Sequence, residues 1–480
     1  MTQDALWSGL ALVGALNARV SGGALPLGVG GISIDTRSLA PGDLFVAIKG
    51  ESLDGHDFVR TAFERGAAAA VIDEAHAAEL SGGSGTLYIV KDTQEALERL
   101  GLQGRARAAA YVAAVTGSVG KTSTKEMARE VFSHFGPTHA SAASYNNQWG
   151  VPLSLSRMPA DTRFGVFELG MNHAGEIASL VQLVQPHVAV ITKVAPAHLE
   201  HFSSVEAIAD AKAEIFGGLL EGGVAVVNRD DDVSESLIEA ARAVGVANVF
   251  TFGRDPEAQA RLVSYETQDG KGVVTADILG LTLQFRIGAP GEHLAVNALA
   301  VLLVAYVFGL DLDAAAAKLE GFQAPKGRGA QEKISIASGE ITLIDESYNA
   351  NPASVRAALS LLADARPGQR GRRIAVLGDM LELGPDSGEM HAELAGDLLH
   401  ARVDVLFTVG PQAARAFYAV PHAMQGAHRR TAAELEEPFI AALRDGDVVM
   451  LKGSNAMRMG ALAQRLRADS VAATKPNEGP

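Results

Sequence analysis

VTGSVGKTST, residues 115–124, follows the short β-branched and apolar run YVAAV (111–115). A buried strand that runs into glycines, a lysine and hydroxyls is the pattern of a phosphate cradle. Gly117 and Gly120 let the backbone turn tightly and present N–H groups to phosphate oxygens, and the intervening Ser118 and Val119 share that cradle. Lys121 can reach the terminal phosphates, and Thr122, followed by Ser123, can offer a hydroxyl to Mg²⁺. A helix starting near Lys121 adds its positive end. The commoner loop, GxxxxGK[ST], has its first glycine where this chain has Val115. Here the first glycine is Gly117, so the loop is short. A glycine-rich turn without a ligand is the plain alternative, but GKT directly after a strand favours nucleotide.

The rest of the chain fits around that loop. Its 480 residues suggest two to four domains at ~100–200 residues each. Short apolar runs at 112–115, 166–169, 188–194 and 224–227 alternate with helical patterns, the mark of a parallel sheet with crossover helices. The style returns at 341–345, 374–379, 405–410 and 448–453. Three α/β domains are therefore expected: 1–88, a central ATPase at 89–324 with a mostly parallel sheet, and a Rossmann-like 325–480. Ligands of such sheets bind beyond the carboxyl ends of the strands. The net charge of −15 argues against nucleic acid and against an anionic membrane surface. The absence of cysteine excludes disulfides and thiol catalysis. The first residues, MTQDALWSGLALVGALNARV, read as an amphipathic helix rather than a signal peptide. The most apolar run, 298–310, is too short for a membrane span and reads as a buried helix. The tail ATKPNEGP reads as disordered. A cytoplasmic protein is expected.

Two further residues stand where a metal beside the loop would need ligands. Glu168 ends the run 166–169, and His198 follows the run 188–194. A helix-capping acid and a loop histidine are the plain readings. Lys212, in AIADAKAEIF, reads on its own as an exposed helix lysine.

Taken together, GSVGKTSTK, SYNNQWGVPL (144–153), ELGMNHAGEI (168–177), VAPAHLEHF (194–202), ADAKAEIF (209–216), GEHLAVNALA (291–300), IDESYNANPAS (344–354), VLGDMLELG (376–384) and LKGSNAMRMG (451–460) resemble the Mur ligases over nearly the whole chain. SYNANP and LGDMLELG point to the branch whose amine substrate is D-alanyl-D-alanine. The resemblance implies a UDP-binding first domain and an ATP-driven amide ligase using Mg²⁺. It implies addition of D-alanyl-D-alanine to UDP-N-acetylmuramoyl-tripeptide through an acyl phosphate, in peptidoglycan synthesis; a monomer is expected, with the oligomeric state left open by the sequence.

Carried over by residue, Lys121 and Thr122 hold phosphates and one Mg²⁺, Glu168 ligates Mg²⁺, and His198 belongs to a second Mg²⁺ site. Lys212 matches a lysine carbamylated in the family, whose carbamate helps bind the second metal. Asn297 matches an adenine contact and Arg328 the arginine that reaches the γ-phosphate. Asn147 lies near metal and substrate. The IDESYNANP loop contacts ribose, through Asp345 or Glu346, and the dipeptide, through Tyr348, Asn349 and Asn351. Asn351 also reads as the cap of a helix that begins at Pro352. Ser33, Thr36, Arg37, Lys49, Asp54 and His56 fit the UDP-substrate end, although Arg37 alone reads equally as a surface ion-pair residue. Three departures stand out: Leu294 in HLAVN for HNxxN, Glu346 for the second acid of IDDSYNANP, and Asn455 for the arginine of KGSRxMRM. The rival readings are a ligase adding a glutamate or diamino acid, a P-loop kinase or GTPase, and a nucleotide-gated binding protein without turnover.

Overall fold

The computed structural model describes residues 5–83, 85–142, 144–197 and 199–474. His198 and the last six residues of the tail lie outside them. Three sheets follow one another along the chain. The first comprises β1 (Arg19–Gly22), β2 (Ile32–Ser33), β3 (Leu44–Val46), β4 (Ala69–Asp73) and β5 (Thr86–Val90), in the order β1-β5-β4-β3-β2. All pairs are parallel except β1 with β5. The expected boundary at residue 88 falls inside β5, which stays paired with β4 as far as Val90.

The central sheet has nine strands: β6 (Tyr111–Thr116), β7 (Thr138–Ala140), β8 (Phe164–Glu168), β9 (Val188–Ile191), β10 (Val224–Asn228), β11 (Asn248–Gly253), β12 (Ala260–Gln268), β13 (Lys271–Ile278) and β14 (Leu281–Ile287). Their order is β14-β13-β12-β11-β10-β9-β6-β8-β7. β7 to β11 are parallel with β6 among them, and β12–β14 extend the sheet as antiparallel hairpins. The chain leaves β6 for β7 and β8 on one side and returns to β9 on the other. The carboxyl end of β6 is thus the switch point of the sheet, where a crevice opens. The phosphate loop occupies it. Helix Glu292–Val307 contains most of the apolar run and is buried along nearly its whole length.

The last sheet is β15 (Ala330–Ile336), β16 (Gly339–Glu346), β17 (Arg373–Gly378), β18 (Val405–Val409), β19 (Gln425–Arg429) and β20 (Val448–Lys452), ordered β15-β16-β20-β17-β18-β19. Because β20 slots between β16 and β17, the loops after β16 and β20 lie side by side. Among the described residues no helix is long and apolar enough to cross a membrane.

The first sheet is clamped to the central one. Helix Thr93–Arg107 packs on helix Gly150–Ser156 at a distance only glycine allows, since a Cβ on Gly104 would lie 2.2 Å from Leu155 O. Beside that contact Trp7 Nε1 donates to Ser156 O at 2.8 Å, and the Arg107 guanidinium stacks 3.8 Å from the Trp7 ring. Arg107 donates to Leu6 O and Met158 O, one carbonyl on each side, and burial pulls its pKa down to about 10. Arg157 Nε adds a bond to Ile32 O. Arg107→Ala leaves two carbonyls without this donor and should cost about 3 kcal/mol. The check is thermal unfolding, where a melting temperature equal to the parent's would show that the clamp contributes nothing.

Candidate active site

The loop after β6 is shaped by what surrounds it. Gly117 has φ 148°, and a Cβ there would meet Thr192 Oγ1 at 2.0 Å; Gly120 has φ 94°, and a Cβ there would meet the Asn297 amide at 2.7 Å. Both positions therefore exclude any side chain. Ser118 N donates to Lys193 O at 2.6 Å and Ser118 Oγ to Ala195 O at 2.8 Å, tying the loop to the end of β9. Lys121 Nζ lies over the loop and donates to Gly117 O at 2.6 Å. Burial lowers the Lys121 pKa, the nearby Glu168 carboxylate opposes that shift, and Arg328 adds to it. Asn297 is buried and packs behind Gly120, where it seats the loop.

Glu168 ends β8, the strand next to β6. Its carboxylate is 1% exposed. One oxygen accepts from Thr122 Oγ1 at 2.7 Å and the other from Asn146 Nδ2 at 2.7 Å. Among the described residues no cationic side chain forms an ion pair with it. Lys121 feels this carboxylate without pairing with it, so the hydrogen bonds to Glu168 come from neutral donors alone and the buried acid leaves room for a further cation. The hydroxyl and carboxylate are hard oxygen donors suited to Mg²⁺, so the residues present fit that ion. Asn146, which the sequence reading passed over for its neighbour, holds this acid. Asn147 turns away from Glu168 and its Oδ1 accepts from Trp149 N and Gly150 N at the start of helix Gly150–Ser156. It still lines the outer cleft.

Lys212 is not an exposed helix lysine: it is 2% exposed. No hydrogen bond or ion pair among the described residues reaches its amine. Burial, with the positive charge of Lys121 second, holds its pKa well below the ordinary lysine value. The amine is neutral over a pH range where a surface lysine is charged.

The C-terminal domain closes the other wall of the cleft. Arg328 donates to Ser144 Oγ at 3.0 Å and lies 3.9 Å from the Tyr348 ring, facing the phosphate loop. Tyr348, Asn349 and Asn351 line the cleft, and Asn351 also caps helix Pro352–Asp364 through a reciprocal box with Ser354. Asp345 and Glu346 part company because successive strand side chains face opposite ways. Asp345 is buried, accepting from Ser347 Oγ and pairing with Arg467 at 2.6 Å, so it does not reach the cleft. Glu346 lines the cleft beside His293. Lys452, at the end of β20, binds Glu346 Oε2 at 3.3 Å and Asn349 O at 2.8 Å. Burial lowers the Lys452 pKa against the pull of Glu346. His293 and Lys452 were not among the expected site residues, although both lie in quoted motifs.

The N-terminal candidates sit apart from this cleft. His56 is buried with both ring nitrogens occupied, Nδ1 by Asp54 at 2.6 Å and Nε2 by Asp73 N at 3.0 Å. It therefore organises the loop and offers no free ring nitrogen to a ligand, while Asp54 caps the turn Gly55–Phe58. Ser33 binds Asp35 O, and Thr36 is buried with its carbonyl accepting from Arg65. Arg37 is exposed and paired with Asp35; Lys49 is exposed.

The comparisons agree with one another. Family models match residues 28–105 (Mur ligase family, catalytic domain), 115–305 (Mur ligase middle domain) and 332–455 (Mur ligase, glutamate ligase domain). The UDP-N-acetylmuramoyl-tripeptide–D-alanyl-D-alanine ligase of Escherichia coli (strain K12) is 36% identical over 84% of this chain and 85% of its own. That of Rickettsia prowazekii (strain Madrid E) is 31% identical over 89% and 93%. A crystal structure of MurF from Acinetobacter baumannii superimposes with a TM-score of 0.82 at 31% identity, covering 96% of this chain and 99% of that one. MurF ligase from Thermotoga maritima in complex with ADP shares the fold, with a TM-score of 0.77 at 24% identity and coverage of 92% and 98%.

A lysine whose folded pKa is depressed destabilises the protein wherever the unfolded chain binds the extra proton, which is below about 10.5. Lys212→Met removes that penalty. In buffer depleted of carbon dioxide it should raise the melting temperature, more at pH 7 than at pH 9.5. A gain that does not shrink as pH rises would show that the amine is charged in the fold.

Proposed function

The chain belongs to the Mur ligase family, and on that premise we propose that it joins D-alanyl-D-alanine to UDP-N-acetylmuramoyl-tripeptide, driven by ATP. The reading makes it a monomeric, cytoplasmic enzyme of peptidoglycan precursor synthesis. The observation that supports it best is the buried Glu168 carboxylate, without an ion-pair partner among the described residues, against Thr122 of the phosphate loop.

The reaction brings together two anions, the tripeptide carboxylate and the triphosphate. Magnesium, bound by Thr122 and Glu168, with His198 and a carbamate on Lys212 at a second ion, would offset their repulsion and the charge that builds on the transferred phosphoryl group. The rest falls to the chain's own groups. Backbone N–H groups of residues 120–122 and the Lys121 ammonium hold the phosphates, while the Ser118 and Val119 N–H groups stay on Lys193 O, and Arg328 enters from the opposite wall toward the γ-phosphate. Positioning and charge account for most of phosphoryl transfer, so these groups need only aim. Asn146 and Thr122 orient Glu168. Glu346, held by Lys452, faces the ribose end. The substrate carboxylate oxygen attacks the γ-phosphorus, ADP leaves, and an acyl phosphate results. The dipeptide amine then attacks the acyl carbon, loses its proton, and phosphate departs. Lys212 contributes because its neutral amine is the form to which carbon dioxide adds, giving a carboxylate-like anion. Arg37 and Lys49, two of the exposed cations of the first domain, serve the UDP pyrophosphate.

The direct test supplies ATP, magnesium and UDP-N-acetylmuramoyl-tripeptide with one acceptor at a time. Phosphate release should require D-alanyl-D-alanine; release with D-glutamate or a diamino acid but not with the dipeptide would refute the assignment. Glu168→Gln keeps the shape and removes the charge, and should lower kcat by at least ~100-fold. A loss below about threefold would remove Glu168 from the mechanism.

A further inference from the structure

Resting on that ligase reading, the geometry also bears on the end of the acceptor that does not react. At neutral pH a dipeptide is a zwitterion. Its amine must approach the acyl phosphate near Ser118 and Lys121. Its carboxylate must be held away from that negative charge, because like charges repel strongly in a partly desolvated site.

A second cleft adjoins the first. Ser118 and Lys121 form one wall, and Glu382, Asn455 and Arg458 of the C-terminal domain stand on the other. Lys121 is committed to the phosphate loop. Lys452, earlier in the same LKGSNAMRMG stretch, is taken by Glu346 and Asn349. Among the described residues, the remaining cation lining this cleft is Arg458. It is exposed, and its guanidinium has no hydrogen-bond or ion-pair partner among the described residues.

The backbone supplies an independent observation. Arg458 ends the turn Asn455–Met457 with φ 54° and ψ 34°, its N–H donating to Asn455 O. That left-handed conformation costs a residue with a Cβ roughly 1–2 kcal/mol, and glycine or asparagine is the usual occupant. Glu382, on the same wall, is also left-handed, with φ 62°. Strain at Arg458 fits the tendency of strain to collect at ligand clamps, while the carboxylate of Glu382 carries no part of such a clamp.

We propose that Arg458 receives the C-terminal carboxylate of the incoming dipeptide. The guanidinium fork matches a carboxylate in two parallel hydrogen bonds. With the amine at the acyl phosphate and the carboxylate at Arg458, the cleft measures acceptor length. A single amino acid is shorter by one Cα–Cα step, about 3.8 Å, and cannot satisfy both ends.

The test uses Arg458→Gly, which removes the cation and relaxes the backbone, so its melting temperature should be no lower than the parent's. For both proteins kcat/KM is measured with D-alanyl-D-alanine and with its C-terminal amide. The parent should prefer the acid by about 10- to 100-fold, the worth of a charged hydrogen-bond pair. The variant should prefer it by less than about threefold, with KM for ATP and the UDP-tripeptide unchanged. Arg458→Lys should fall between. A variant that still prefers the acid as strongly as the parent, or one that loses both acceptors equally, overturns the proposal. A parent enzyme that accepts acid and amide alike does so too. A parent that turns over neither overturns the ligase reading itself.

Discussion

A carboxylate buried beside a phosphate loop, with no ion-pair partner among the described residues, is the constraint around which the site is arranged. Glu168 can stay in that position because Thr122 and Asn146 hold both of its oxygens. Each holder depends on something further. Thr122 is placed by the start of helix Lys121–Ser133, which needs the two glycines before it. Asn146 is fixed against the turn after β8, where Gly170 N donates to its carbonyl and a Cβ on Gly170 would strike its side chain at 2.9 Å. The arrangement trades local stability for charge placed where a phosphoryl group must be transferred, as functional sites commonly do.

Around this centre the molecule divides its work. The first sheet is fastened to the central one by Trp7, Arg107 and Arg157, contacts made largely through buried or half-buried side chains and main-chain carbonyls. Among the described residues, the polar contacts by which the C-terminal sheet approaches include Arg328 to Ser144, and Glu200 N to Glu382 O. An interface of polar bonds is the kind that opens and closes at modest cost. The loops after β16 and β20 converge on the cleft because β20 lies between β16 and β17, and that topology sets Glu346 and Lys452 together.

The sequence reveals the strands that carry the loop because they are continuous apolar runs ending in polar turns. It also reveals the nucleotide site, because GKT after such a run has few other uses. The hairpins β12–β14 escape notice because a doubly wound pattern gives no reason to expect antiparallel strands. Asp345 and Glu346 could not be told apart because β16 is apolar on both faces, as the burial of both Leu343 and Ile344 shows, so no alternation marks which acid faces the cleft. Asn146 and Asn147 are a similar pair, separated only by the turn that binds them. Lys212 looks like a surface residue in ADAKAEIF because its burial comes from elements remote in sequence. His56 looks like a ligand contact for the converse reason: Asp73, which occupies its second nitrogen, lies on β4, where local pattern carries no information about pairing.

The central claim is that Glu168 and Thr122 hold their hydrogen bond in place of a metal. Crystals grown with manganese and a non-hydrolysable ATP analogue test it through the anomalous signal of the ion. The account predicts a peak bonded to Thr122 Oγ1 and to a Glu168 oxygen, with the 2.7 Å bond between those side chains broken. Nucleotide bound in the loop with that bond intact and manganese elsewhere would contradict it.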